Sequence, residues 1–196
     1  MREDRLDPLR RVCGIDVQYA RNGSACAAAV VVAFPGLEPV ERSVAKRPVT
    51  FPYVPGFFSL REIPAALAAL EGLRAKPDVL LCDGHGVAHP RRFGLACHLG
   101  ILADLPSIGV AKSRLVGEHR EPRFTRGAWA PLLDRGEEIG AVLRTREGVK
   151  PVYVSIGHRV SLATAIEIVL ACSPRYRIPE PIRAADRLAR GGPGSR

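Results

Sequence analysis

The hydrophobic period of this chain changes near residue 59, and that change constrains the fold more than any other feature. Before it, apolar residues come in short runs bounded by turn residues. Arg11 to Ala20 reads as a strand, with Val12, Ile15 and Val17 around Asp16. After a turn at Arg21-Asn22-Gly23, Ala25 to Phe34 reads as a second, buried strand. The Pro35-Gly36 turn leads to a third, more polar strand from about Val40 to Val49. Three strands joined by short turns suggest an antiparallel meander. Beyond the change, Ser59 to Arg74 places Leu60, Ile63, Leu67, Leu70 and Leu73 at helical spacing. Pro64 is tolerable there if it lies in the first turn.

Helix and strand then alternate. Asp78 to Cys82 reads as a strand, Arg91 to Leu102 as a helix and Ser107 to Ala111 as a strand, the order that usually builds parallel sheet. Gly117 to Glu138 reads as irregular and charged. Ile139 to Thr145 and Val152 to Ile156 flank Arg146-Glu147-Gly148 like a hairpin. Ser161 to Cys172 is an amphipathic helix with Ser161 as its candidate cap, and Pro179 to Ala189 a short, Arg-rich helix. Residues 191–196 are expected to form a disordered tail. The order suits an α/β fold, a mixed sheet flanked by helices: an antiparallel three-strand meander plus parallel strands, which resembles the ribonuclease H-like arrangement.

At 196 residues the chain suits a single domain, expected over residues 1–190. Its net charge of +9 favours a polyanionic partner, most simply nucleic acid, with a solvated basic surface as the plainer alternative. The five cysteines, Cys13, Cys26, Cys82, Cys97 and Cys172, lack metal-site spacing and read as small buried hydrophobes in a reducing compartment. The N-terminus has no signal-peptide core, and the longest apolar stretch, Ala25 to Phe34, is too short to span a bilayer. A cytoplasmic monomer without a membrane partner is therefore expected.

Three acids stand in segments that could converge. Asp83 ends the apolar run Val79-Leu80-Leu81-Cys82 and opens the glycine-rich, basic loop Asp83-Gly84-His85-Gly86-Val87-Ala88-His89-Pro90-Arg91. A helix could begin at Pro90. Asp16 lies mid-strand among apolar neighbours, costly to bury unless paired or metal-bound. Glu62 sits near a helix start. Each has a plainer alternative: a turn-forming Asp83, a surface-facing Asp16 on an alternating strand, and a Glu62 that closes a capping box with Ser59. Hard oxygen ligands suit Mg²⁺ or Mn²⁺, and carboxylates from separate elements that hold such ions can hydrolyse a phosphodiester. Lys112, in Gly109-Val110-Ala111-Lys112-Ser113, either neutralises charge on the transition-state phosphate or is a solvated lysine. His85, His89, His98, His119 and His158 are candidate acid-base groups, each more simply structural or in contact with DNA. Two prolines stiffen the aromatic loop Phe51-Pro52-Tyr53-Val54-Pro55-Gly56-Phe57-Phe58, which could wedge into a base stack or plug the core.

Together these segments resemble the endonuclease V family of deoxyinosine-directed DNA repair nucleases. The matching stretches are Gly14-Ile15-Asp16-Val17, Pro52-Tyr53-Val54-Pro55-Gly56 with Arg61-Glu62, Asp83-Gly84-His85-Gly86 with His89-Pro90-Arg91, and Gly94-Leu95-Ala96 with His98-Leu99-Gly100. Ile108 to Ser113, Val152 to His158, and Pro179-Glu180-Pro181-Ile182-Arg183 follow in order. The resemblance implies a ribonuclease H-like fold. It implies nicking of the inosine-containing strand at the second phosphodiester on the 3′ side, leaving 3′-hydroxyl and 5′-phosphate ends. It makes Asp16 and Asp83 the principal Mg²⁺ ligands, with Mn²⁺ as a substitute and Glu62 completing the acidic site. Lys112 would act near the phosphate. Asp186 matches a further family position for Asp or His, with a plain ion pair to Arg183 or Arg190 as its alternative. Tyr53 would be the wedge. Gly56, Phe58, Gly84 and Leu95 would line the base pocket, with Phe58 larger than the aliphatic residue common there. His89 would contact DNA. The partner implied is deoxyinosine DNA; inosine RNA stays open, because the 2′-hydroxyl changes only local contacts. A catalytically silent nucleic-acid-binding module is the rival from another class.

Overall fold

The computed structural model describes residues 4, 6, 8–20, 23–52, 54 and 59–191. Among them, eight strands form one sheet: β1 (Arg11–Tyr19), β2 (Ser24–Ala33), β3 (Pro39–Pro48), β4 (Val79–Asp83), β5 (Ser107–Ala111), β6 (Trp129–Asp134), β7 (Glu137–Leu143) and β8 (Val152–His158). Their spatial order is β3-β2-β1-β4-β5-β8-β7-β6. The helices are α1 (Ser59–Glu71), α2 (Leu95–Ala103), α3 (Leu162–Ala171) and α4 (Glu180–Ala189). β1 to β3 form the antiparallel meander, and β4 and β5 join β1 in parallel. β8, β7 and β6 continue the sheet antiparallel. The mixed, ribonuclease H-like α/β fold read from the sequence is therefore the one found.

Period-two alternation sorts the residues of the central strands into two cores, while Leu132, Ile139 and Val142 of β6 and β7 form a third, smaller cluster with Ala88. Val12, Ala28, Val30, Leu81, Ile108 and Val110 pack with Ala165, Ile168, Ile182 and Ala185 of α3 and α4. Cys13, Ile15, Ala27, Ala29, Leu80 and Cys82 pack with Ile63, Ala66, Leu95 and Leu99 of α1 and α2. β1 is thus covered on both faces. α4 approaches β1 backbone to backbone: a Cβ built on Gly14 would lie 2.1 Å from the Pro181 carbonyl carbon. All five cysteines are buried and free. Among the described residues, no helix is long and apolar enough to cross a membrane.

The structure corrects several local expectations. The segment expected to be irregular contains β6, and its edge position tolerates Pro131, which weakens the strand pattern in sequence. Arg135 and Gly136, both at positive φ, form the two-residue turn into β7. α2 starts at Leu95 rather than Arg91, because residues 90–92 turn and Gly94 N–H donates to Gly86 O at 3.0 Å. α1 ends at Glu71, and Pro64 is its sixth residue, beyond the first turn. Ser161 caps α3 by accepting from Thr164 N–H at 3.2 Å. Arg21-Asn22 and the expected tail after Gly191 lie outside the described residues.

Candidate active site

Sheet geometry brings the acids together. In the parallel β1–β4 ladder Ile15 pairs with Cys82, so Asp16 and Asp83 stand one step further along neighbouring strands. Both follow the alternation of Val12 and Leu81 and share the face that α4 covers. α4 brings Asp186 to the same place. Gln18 Nε2 donates to Asp16 Oδ2 at 2.7 Å and to Asp186 Oδ1 at 3.1 Å, bridging the two carboxylates. Glu62 comes from the first turn of α1. It is buried and close enough to Asp16 and Asp83 to feel their charge. Lys112 lies just past β5, on the same face as Val110, and its Nζ donates to Asp83 Oδ2.

The electrostatics reflect this crowding. Burial raises the Asp16 carboxyl well above its ordinary range, and Asp83 and Asp186 add to the rise against the hydrogen bond from Gln18. Burial pushes Glu62 up to about 8, with further contributions from Asp16 and Asp83. Both effects disfavour the charged form, as expected for like charges sharing a desolvated site. The capping-box alternative for Glu62 does not hold, because Ser59 is already helical and Glu62 is buried. Nor is Asp16 surface-facing; it is 4% exposed. Asp186 does pair with Arg190, 2.8 Å away, while also joining the Gln18 bridge.

Among the described residues, no three His, Cys, Asp or Glu side chains are gathered tightly enough to clasp a metal ion. Asp83 faces Lys112, and Asp186 is shared between Gln18 and Arg190. The donor chemistry nevertheless fits a hard divalent cation. The groups offer oxygen alone, and their buried, mutually repelling carboxyls carry excess negative potential that such a cation relieves.

The loop after Asp83 is built by backbone contacts. Ser155 Oγ accepts from Gly86 N–H at 2.8 Å, and a Cβ on Gly109 would lie 2.4 Å from Gly86 N. Gly84 and Leu95 are neighbours: a Cβ on Gly84 would meet Leu95 Cδ2 at 3.5 Å. His89 is buried, and its Nδ1 accepts from Arg91 N–H at 3.2 Å, so it braces its own turn. Tyr53, Gly56 and Phe58 lie outside the described residues. Sequence reading missed Gln18, whose only local signal is its place two residues beyond Asp16 on the same strand face. Arg61, matched in the sequence but given no role there, holds its guanidinium 5.3 Å from the Tyr19 ring centroid beside Glu62.

A family model described as endonuclease V matches residues 1–187. The chain belongs to the endonuclease V family. An endonuclease V of Roseiflexus sp. (strain RS-1) is 61% identical over 189 residues, covering 96% of this chain and 85% of that relative. The crystal structure of endonuclease V from Streptomyces avermitilis has a TM-score of 0.90 at 51% identity, over 93% of this chain and 82% of that one. Ciona intestinalis endonuclease V, solved with a 23-mer DNA containing an inosine followed by a ribo-adenosine, has a TM-score of 0.84 at 32% identity, over 97% and 89%. Membership in the endonuclease V family makes the chain a nuclease homologue.

Proposed function

We propose that this protein recognises deoxyinosine in DNA and hydrolyses the same strand at the second phosphodiester on the 3′ side. The convergence of Asp16, Glu62, Asp83 and Asp186 beside Lys112, at one end of the sheet, carries this reading. The net charge of +9 and the inosine-containing DNA bound by the Ciona relative support it. Asp16 and Asp83, with Glu62, would hold Mg²⁺, for which Mn²⁺ would substitute; Asp186 would complete the acidic set. A divalent cation there supplies charge neutralisation at the phosphate and a more acidic water. Gln18 orients the Asp16 and Asp186 carboxylates from one amide. The Lys112 ammonium stands beside Asp83, where it can donate to a phosphate oxygen as charge builds. Water adds to phosphorus, the bond from phosphorus to O3′ breaks, and O3′ leaves with a proton, giving 3′-hydroxyl and 5′-phosphate ends. Gly84 and Leu95 would line the base pocket with Gly56 and Phe58, Tyr53 would fill the gap in the stack, and the His89 turn would shape the DNA-facing loop.

The direct test is a nicking assay on one defined deoxyinosine duplex with Mg²⁺, Mn²⁺ or chelator. A single cut at the second 3′ phosphodiester is expected, lost with chelator and absent from the adenine control. Equal cutting of the control, or cutting in chelator, would refute the proposal. Inosine in RNA is the second reading, favoured by the ribo-adenosine after inosine in the Ciona complex. Side-by-side cleavage of matched DNA and RNA oligonucleotides decides between them.

The acidic site also predicts a pH dependence. In the unfolded chain Glu62 titrates near its ordinary value of 4.5, whereas in the fold it titrates near 8. The unfolded state therefore loses this proton first as pH rises, and the metal-free protein loses stability between about pH 4.5 and 8. Replacing Glu62 with Gln removes that loss. The variant's melting temperature should gain on wild type as pH goes from 5 to 8.5, and Mg²⁺ should stabilise wild type more at pH 8.5 than at 5. A wild-type-to-variant difference that stays constant with pH would contradict this.

A further inference from the structure

Lys112 lies beyond the sheet ladder, whose last pair on β5 is Ala111 with Tyr153. Its backbone is held by something else. Arg177, in the segment between α3 and α4, donates through Nη2 to the Lys112 carbonyl at 2.5 Å and to the Pro151 carbonyl at 2.8 Å. Its Nε donates to the same Pro151 carbonyl at 3.3 Å. Arg177 is anchored in turn, because its own carbonyl accepts from Oγ1 of the buried Thr145 at 2.6 Å. The Lys112 carbonyl is therefore tied through Arg177 to Pro151 and Thr145.

A lysine side chain is a flexible four-carbon stem, so its ammonium is placed only as well as its backbone is. The planar guanidinium suits the holding task, since its fixed fork can serve two carbonyls at once and its charge strengthens both bonds. We propose that Arg177 is a positioning residue for strand cleavage, tying Lys112 to Pro151 and so fixing the point from which the Lys112 ammonium reaches the scissile phosphate. This inference rests on the role of Lys112 proposed above. Arg177 touches neither Asp83 nor any other acid of the centre by a described hydrogen bond or ion pair, so its influence on cleavage runs through Lys112.

The test is a double-mutant cycle in single-turnover nicking of a deoxyinosine duplex, using wild type, Arg177→Met, Lys112→Met and the double variant. Misplacing a catalytic group by about 1 Å costs on the order of 100-fold in rate. Arg177→Met should therefore slow nicking by about 10- to 100-fold, while DNA affinity in Ca²⁺ stays within about 3-fold. In the Lys112→Met background the same change should cost less than about 2-fold, the signature of residues acting as a unit. Arg177→Lys, which keeps the charge but not the fork, runs through the same cycle and serves if Arg177→Met fails to fold. Equal cost in both Lys112 backgrounds, or a loss confined to affinity, overturns the positioning role alone. A Lys112→Met enzyme with the wild-type rate overturns the reading of Lys112 and the positioning role with it.

Discussion

Replacing Asp16 with Asn should lower single-turnover nicking by at least about 10³-fold, about 4 kcal/mol of transition-state stabilisation, while leaving the protein folded. The two halves of this result come from one cause. Asp16 is buried on the face shared with Asp83 and Asp186, where burial and repulsion raise its titration. A neutral amide of the same shape relieves that repulsion, so the melting temperature should stay level or rise at pH 8. The amide also removes the carboxylate that would hold the divalent ion, so catalysis should collapse. Asp83→Asn should behave alike in rate, but it also removes the negative charge facing Lys112. Melting curves and nicking rates measured on the same preparation check the pair. A folded Asp16→Asn protein with near wild-type nicking would sink the proposed centre.

Replacing Gly14 with Ala should destabilise the fold by about 3 kcal/mol or more, the upper range for overpacking a tight interior. The added methyl would lie 2.1 Å from the Pro181 carbonyl carbon, 2.2 Å from its oxygen and 2.5 Å from Ile182 N. All three are backbone atoms, so no rotamer change makes room. Either β1 or α4 must move, and Ile182, Ala185 and Leu188 would lose part of their burial. Moving α4 also carries Asp186 away from Gln18. Urea unfolding should show the lower midpoint, and an unchanged midpoint would mean that α4 is not held at this contact. Any variant protein that stays folded should also nick more slowly.

The sequence made the meander, the parallel strands and the three core acids legible because each depends on local pattern. β2 is a nearly unbroken apolar run, which signals cover on both faces, and β1 beside it shares that cover. That neighbour relation decides the fate of Asp16, which the alternation within β1 leaves open. β6 escaped because Pro131 and exposed Trp129 and Leu133 blur its pattern, and only its edge position makes them tolerable. The turn at 90–92 escaped because Arg92 adopts positive φ, a conformation arginine rarely signals. Gln18 and Arg177 escaped for a different reason. Gln18 meets Asp186 across 168 residues, and Arg177 meets Lys112 across 65, so no window of sequence contains either pair.

The docking of α4 on β1 also sets an order of events during synthesis. Asp16 and Asp83 are made early, but the helix that covers their sheet face spans residues 180–189. Until it emerges, Val12, Val30 and Leu81 lack the cover of Ile182 and Ala185. Chains stalled before residue 180 should therefore present an open apolar sheet face to chaperones and show no nicking of inosine DNA. The proposed cleavage would in this way be withheld from chains that still lack α4, and ribosome-bound chains of graded length would reveal the step at which it switches on.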